Sequence, residues 1–594
     1  MQNHLRRPMI ILALAFLCAA IAPAVRAADP PWLARGKSGM VAADSPEASQ
    51  VGADILKAGG NAFDAAIATS LALTVCRPES TGIGGGGFLL AYVAREKRFI
   101  ALDFRETAPA CATPQRYAKL DAERGVGPSA SIYGGNAVGV PGLVAGLDEI
   151  RKRFGTKSFA ELAAPAIHLA EDGFVVDEHF RSACSEALDD YKKYPMLKSQ
   201  CARLYERFLK DGKLPMLGEK FRRPAIADAL RLIAKDGPSA FYDGPIADAI
   251  IKAVQQSGGG LTREDLRAYR VMERKPLDIE MHRFEITKDG TRPTPERLIL
   301  MPPPSSGGIC VGQILHLVYG NYQSTRCADR ETVDFYDHWR IEVMKHAFAD
   351  RARWLGDPGF VSVPVEFLLS GKHLMDLSDK ACLGPFPDPQ RYGTTTLPDD
   401  RGTSHFCVAD CDGNLVAQTE TVNGGFGSFV MTDPFDIVLN NQLDDFTTVP
   451  GKTNLFGLVQ GERNLIGPGR RPLSSMSPTI FLRDGKPLLI LGGSGGPRII
   501  TAVAQVLGDV SIGLTLESAM SRVRIHHQWQ PDEIYFDRTP TEEWTPIIEA
   551  LKKRGHKFSE KRKTAAVQAI QFLDDGTLVG ASDPLKGGRP VGLP

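Results

Sequence analysis

The chain has 594 residues, with 70 Lys+Arg balanced by 70 Asp+Glu and 43% hydrophobic residues. That length supplies core enough for one large α/β domain or up to about four small ones. The cancelled charge excludes a net field that would draw the chain to nucleic acid or to an anionic membrane surface, so a small-molecule substrate is expected.

In chain order, Arg6 and Arg7 precede an apolar run over 9–20, and Val25-Arg26-Ala27 puts small residues at the two cleavage positions. Residues 1–27 therefore read as a signal peptide removed after Ala27. The run is too short to span a bilayer comfortably, which disfavours a retained anchor, so the mature protein is expected to be periplasmic or secreted, with no stable membrane anchor. Losing Cys18 with the signal leaves nine of the ten cysteines, an odd number, so at least one thiol stays free or pairs between chains. His405, Cys407 and Cys411 lack a second cluster that would complete four ligands, and neither metal nor cofactor is expected.

Ser45-Pro46-Glu47 marks a helix start, Gly59-Gly60 its end, and Asn61 caps a second, Ala-rich helix. The run Gly84-Gly85-Gly86-Gly87 has no following Lys-Ser/Thr and leads into the apolar stretch 88–93, which with 99–103 predicts a strand pair, not a phosphate loop. The middle, from about Pro141 to Ser378, is mostly helical in period. Phe335, Trp339, Val343, Ala347 and Arg351 recur every four residues and predict one long amphipathic helix. Leu277 to Met301 reads as a hairpin, with Asp289-Gly290 as its turn and Pro293 and Pro295 as breakers.

At Thr403 the chain turns strand-rich and glycine-rich, directly after a loop of Thr, Asp, Pro and Gly over 394–402. A cut there would give an N-terminal threonine whose own α-amine, with a reference pKa of about 7.7 to 8.0, can act as base for its hydroxyl. Runs 403–410 and 415–421 flank Cys411-Asp412-Gly413-Asn414, and Asp-Gly signals a two-residue hairpin loop. Pairing Cys411 with Asn414 sets Ser404 opposite Thr421 and Thr403 opposite Val422, which brings Thr421 and Asn423 beside the new chain end. Further on, Gln442 and Asp445 offer acceptors for a substrate ammonium, Ser474 and Ser475 donors for a carboxylate, and the amides of Gly495 and Gly496 an oxyanion hole. Arg105 offers a planar fork to a carboxylate, so Arg105 and Asp445 together would read a free amino-acid head group.

These motifs, together with Gly82-Ile83-Gly84-Gly85-Gly86-Gly87-Phe88, Asp103-Phe104-Arg105-Glu106, Val140-Pro141-Gly142, Pro302-Pro303-Pro304-Ser305-Ser306-Gly307-Gly308 and Ala349-Asp350-Arg351, make the mature chain resemble the γ-glutamyltranspeptidases, members of the N-terminal nucleophile hydrolases. The resemblance implies an α+β fold, a four-layer αββα sandwich forming one structural domain. It implies a precursor that cleaves itself between Gly402 and Thr403 into a large subunit, 28–402, and a small subunit, 403–594, held together as a heterodimer.

It further implies γ-glutamyltransferase and glutathione hydrolase activity on glutathione and other γ-glutamyl compounds, with water or the amine of an amino acid or dipeptide as acceptor. The roles it implies are Thr403 as nucleophile and base, Thr421 positioning it, and Gly495 and Gly496 as oxyanion hole. Arg105, Ser474 and Ser475 would bind the α-carboxylate; Asn423, Gln442 and Asp445 would bind the α-amine. Departures are Gly493, Ser494 and Pro497 where the family's oxyanion segment has Ser, Pro and Ser, Phe456 at an aromatic lid position within 450–468, and an insertion over 287–295. The alternatives are a cephalosporin or glutaryl acylase on the same scaffold, and a non-catalytic γ-glutamyl-binding homologue.

Overall fold

The computed structural model describes residues 29–594 apart from 126, 288–289, 321–331, 389–390, 393–401, 451–460 and 562–564. The expected signal segment, most of the loop before Thr403 and Phe456 of the expected lid lie outside the described residues.

Two seven-stranded sheets carry the architecture. One runs, edge to edge, Val591–Leu593, Gly39–Ala43, Ser404–Asp410, Leu415–Thr421, Gly86–Val93, Arg98–Phe104 and Met272–Arg274; the other runs Leu33–Gly36, Leu578–Ser582, Ala566–Phe572, Lys486–Ser494, Thr479–Arg483, Gly290–Leu300 and Leu277–Thr287. Every pairing is antiparallel.

The period of two decides the layering. Along Ser404–Asp410, Cys407 and Ala409 pack between the sheets with Ala42, Leu90, Ile480, Ile490 and Ile570, while Phe406 and Val408 face the opposite way, onto helical residues such as Phe63, Ile67 and Leu71. In the second sheet Leu489 and Leu491 likewise point outward, against residues of helices Gly307–Val318, Phe335–Trp354 and Arg498–Ser511. Each sheet thus has two apolar faces, and helices must cover the outer ones. The result is the four-layer αββα sandwich.

The predicted caps form: the Ser45 side chain accepts from the Ala48 amide ahead of helix Pro46–Lys57, and Asn61 with Asp64 makes a capping box on helix Ala62–Cys76. Three local expectations are corrected. Helix Phe335–Trp354 is not amphipathic but buried from Asp337 to Arg351 on every side. It carries charge inward because that charge is paired, Arg340 with Asp337 and Lys345 with Glu342 and Asp532. Pro293 and Pro295 do not break the hairpin: Gly290–Leu300 runs through both. Its next neighbour, Thr479–Arg483, begins pairing only at Glu296, so the two prolines lie where no ladder donor is demanded on that side.

The third correction concerns the hairpin that begins at Thr403. Its loop has three residues, Cys411-Asp412-Gly413, not two, because the Asp410 carboxylate accepts from the amides of Asp412 and Asn414 while Gly413 takes φ +84°. Asp410 therefore meets Asn414, and the register slips by one from the expected pairing. Ser404 faces Glu420, and Thr403 falls level with Thr421. The slip brings the two hydroxyls closer than the two-residue loop would have done. Of the cysteines, Cys382 is disulfide-bonded, whereas Cys76, Cys111, Cys184, Cys201, Cys310, Cys407 and Cys411 are free.

Candidate active site

Thr403 sits at the entry of its strand, buried, in an uncut chain. Its hydroxyl lies on the Gly402 carbonyl oxygen and 3.2 Å from the Thr421 hydroxyl; Thr421 Oγ1 is itself 3.1 Å from the Gly402 oxygen and accepts from the Asn423 amide at 2.7 Å. The Asn423 donor leaves the Thr421 hydroxyl hydrogen free to point at the Gly402 carbonyl, so Thr421 grips the peptide bond N-terminal to Thr403. Gly402 takes φ +137°, and a Cβ there would meet the Asn423 oxygen at 2.4 Å. Only glycine presents its carbonyl in this way.

Asn423, with φ +80°, donates from Nδ2 to the Asn441 oxygen at 3.1 Å, and Asn441 Oδ1 accepts from the Gly424 amide at 2.8 Å. The turn leaving strand Leu415–Thr421 is thereby fixed to the segment that carries Asp445.

Across a narrow cleft from Thr403 lie Arg105, Asp445, Ser474, Ser475, Gly496 and Arg351. Arg105 Nη2 contacts Asp445 Oδ2 directly, and Gln442 Nε2 donates to the same oxygen at 2.7 Å. Burial pushes the Asp445 carboxyl above its ordinary value, while Arg105 pulls it back. Gln442 does not reach the cleft wall; it braces Asp445 from behind. Ser474 is pinned through its backbone to Pro304 and to Ser306, whose hydroxyl donates to the Ser474 oxygen at 2.5 Å. Gly495 and Gly496, with φ +128° and +54°, join strand Lys486–Ser494 to helix Arg498–Ser511, and Gly496 with Pro497 lines the cleft.

The structure therefore gathers Thr403, Thr421, Asn423, Arg105, Asp445, Ser474, Ser475 and Gly496 around one cleft, with Gln442 and Gly495 immediately behind it. Two residues had no role assigned from sequence. Arg351 donates from Nε to Ser306 Oγ at 2.9 Å and from Nη2 to Ser475 Oγ at 3.3 Å, tying the serine turn to the long helix. Its motif, Ala349-Asp350-Arg351, was visible; its direction was not. Lys586 lies beyond every motif named in the sequence and gave no signal there.

Glu106, next to Arg105, is fully buried, and neither carboxylate oxygen has a hydrogen-bond partner. Burial pushes its carboxyl up to about 7, against the pull of Arg105, whose Nη1 is 3.9 Å away. An acid whose native pKa is raised contributes stability that is fully present below the unfolded value, 4.5, and is lost as pH rises through about 7. Glu106→Gln removes that titration. The melting temperature of the variant relative to the parent is therefore expected to rise between pH 5 and pH 8; parallel melting-temperature curves over that range would contradict this account.

Among the described residues, His338, Glu342 and His556 form a buried group of metal-ligand type. Within it His338 Nδ1 meets His556 Nε2 at 2.8 Å, and the Lys345 ammonium stands 3.1 Å from Glu342 as the local cation. His405 and Cys407 contact each other inside the sandwich, at 3.3 Å, while Cys411 is exposed at the hairpin tip.

With this geometry in place, the chain can be set beside known proteins. A family model described as Gamma-glutamyltranspeptidase matches residues 48–593. The chain is similar to the "Glutathione hydrolase proenzyme" of Escherichia coli K12, 38% identical over 557 residues covering 93% of this chain and 91% of that one. It is similar also to the "Glutathione hydrolase proenzyme" of Bacillus subtilis 168, 35% identical over 94% of this chain and 92% of that one. Among solved structures, the cephalosporin acylase from Bacillus halodurans superposes with a TM-score of 0.79 at 28% identity, covering 98% of this chain and all of that one.

Proposed function

The chain belongs to the gamma-glutamyltranspeptidase family, and from that premise we propose that Thr403 acts twice, first on its own peptide bond with Gly402 and then on the γ-glutamyl amide of glutathione or a related compound. The observation that carries the reading is the Thr403–Thr421–Gly402 contact set facing an Arg–Asp pair across one cleft.

In the first act Thr403 Oγ adds to the Gly402 carbonyl carbon, whose oxygen Thr421 holds, and the C–N bond to Thr403 breaks. The nitrogen takes the hydroxyl proton, and water resolves the resulting ester, leaving a free α-amine on Thr403. The large subunit, 28–402, and the small subunit, 403–594, stay together because strand Ser404–Asp410 remains paired with Gly39–Ala43 of the large piece.

In the second act the α-amine accepts the hydroxyl proton as Oγ bonds to the substrate's γ-carbonyl carbon. The Gly495 and Gly496 amides hold the oxyanion; the proton passes to the leaving nitrogen as its C–N bond breaks. Water, or the amine of an amino acid or dipeptide, then releases the γ-glutamyl group. Arg105, Ser474 and Ser475 take the α-carboxylate; Asp445, braced by Gln442, and Asn423 take the α-ammonium. No described helix is long and apolar enough to cross a membrane, and an exported enzyme, freed of residues 1–27, suits the secretory reading of the N-terminus.

N-terminal sequencing of the smaller polypeptide, with release of product from a γ-glutamyl anilide, tests both acts. A mature chain beginning elsewhere than Thr403 would refute the first, and a correctly cut protein that leaves the anilide intact would refute the second. The acylase alternative, raised by the shared scaffold, gains support from the cephalosporin acylase likeness, but a buried carboxylate at Asp445 has no use for a glutaryl group, which carries no ammonium. Comparable rates on glutaryl and γ-glutamyl anilides would reverse that ranking. A single uncut band would favour the non-catalytic binder.

A further inference from the structure

We propose that Lys586 is a positioning residue for the mature nucleophile, holding Thr403 by its carbonyl and keeping its freed α-amine in the unprotonated form that the second act requires. This rests on the reading of Thr403 given above.

Lys586 lies in the turn that follows strand Leu578–Ser582, is 5% exposed, and sends its Nζ to the Thr403 carbonyl oxygen. The same Nζ forms an ion pair with Asp44 Oδ2 at 2.7 Å and reaches Ser494 Oγ, immediately before Gly495 and Gly496, at 3.4 Å. One ammonium thus links the nucleophile, the oxyanion segment and, through Asp44, the large subunit. The turn that carries it is itself fixed: Asp583 Oδ1 accepts from the Leu585 amide, Arg524 Nη2 donates to Asp583 Oδ2 at 2.6 Å, and Arg77 Nη2 donates to the Lys586 carbonyl at 3.3 Å. A flexible side chain is thereby aimed from a rigid base.

The charge acts on the amine through position. Amine and carbonyl of Thr403 belong to one residue, so a cation bonded to the carbonyl disfavours a second cation on the amine in a buried, low-dielectric site. The neighbouring charges are largely matched. Arg77 pairs with Asp177 at 2.6 Å, and the buried Glu79 is pushed up to about 7, with His179 3.4 Å from it, lowered by burial and by Lys586. Glu420 turns away, accepting from Ser70 and Thr81, and Arg105 and Asp445 pair across the cleft, beside Arg351. The Asp44 carboxylate has no hydrogen-bond partner of its own and meets the site through Lys586. It moderates the lysine's field without cancelling it.

The test is the pH profile of kcat/KM on a γ-glutamyl anilide, taken with processed protein. Lys586→Met is expected to move the midpoint of the acid limb up by about one unit, lowering the rate at pH 7 roughly fivefold to tenfold. The rate recovers above pH 9, with KM within about twofold of the parent. Lys586→Arg restores the parental midpoint, and Asp44→Asn, which unmasks the cation, moves it the other way. An unmoved midpoint in the Met variant, a loss confined to KM, or failure of both the Met and Arg variants to mature each overturns the assignment; the last would place Lys586 in assembly of the precursor. If the parent itself is uncut or inactive, the reading of Thr403 falls, and this inference with it; if only the Lys586 variants miss their expected profiles, the reading of Thr403 stands.

Discussion

Thr403→Ala is expected to yield one uncut polypeptide with no detectable turnover of a γ-glutamyl anilide, a loss of at least roughly four orders of magnitude in kcat. The size of the effect follows from the double use of one oxygen. Without Oγ no atom is placed on the Gly402 carbonyl carbon, so the α-amine is never released. Without the amine, even a substitute nucleophile would lack its base. The fold should survive, since the change removes a hydroxyl and a methyl from a strand entry whose pairing is made by backbone and by Phe406 and Val408 further along. A circular-dichroism melt close to the parent's would confirm that.

Thr403→Ser separates the two losses. It keeps the oxygen and removes a methyl that restricts χ1, so it should cut and turn over more slowly than the parent, not fail. Electrophoresis of purified protein and an anilide assay are sufficient readouts, and an Ala variant that is cut at Gly402 and active would sink the assignment of the nucleophile.

The helix caps at Ser45 and Asn61 were legible from local cap residues, whereas the four layers came from the family resemblance and the membership of the cleft from motifs whose chemistry is complementary to an amino-acid head group. What was not legible depends on which partner a polar side chain takes, a near one at the hairpin and distant ones elsewhere. The Asp410 carboxylate, not the Asp-Gly pair, set the hairpin loop at three residues and so placed Thr403 level with Thr421. The long helix read as amphipathic because its charged residues look solvated in sequence. Their partners, such as Asp532 for Lys345, come from nearly 190 residues away. Arg351 and Lys586 were overlooked for the same reason: a buried cation announces itself only through what it touches, here Ser306 and Ser475, and Asp44 and Thr403. Gly402 is the converse case, since the motif drew attention to the residue after it, while φ +137° and the approach of Asn423 explain why the residue before Thr403 is a glycine.

Asp445→Asn should cost the γ-glutamyl anilide about a hundredfold to a thousandfold in kcat/KM while raising that of the glutaryl anilide, so that the ratio between the two substrates collapses. Arg105 and Asp445 neutralise each other inside the protein, 1% and 7% exposed. A γ-glutamyl head group brings one carboxylate and one ammonium, so it can separate the pair and give each member a new partner of the right sign. No charge is orphaned by the exchange, and this offsets the desolvation that would otherwise oppose binding a zwitterion in a buried cleft.

A glutaryl group offers only the carboxylate. It satisfies Arg105 but leaves Asp445 buried and facing apolar hydrogens, a penalty of about 3 to 5 kcal/mol for a charge without its partner, and that penalty is the discrimination. Asparagine at 445 abolishes the penalty and the attraction together. The γ-glutamyl substrate loses its ammonium site, the glutaryl substrate loses an unpaired carboxylate, and most of the change for both should fall in KM, because the head group lies away from the reacting carbonyl. Arg105→Lys, which keeps the charge but not the fork, should weaken both substrates by about tenfold and leave their ratio nearly intact. An Asp445→Asn enzyme that still prefers the γ-glutamyl anilide by the parental ratio would show that selectivity resides elsewhere, and the exchange of partners between Arg105 and Asp445 would have to be abandoned.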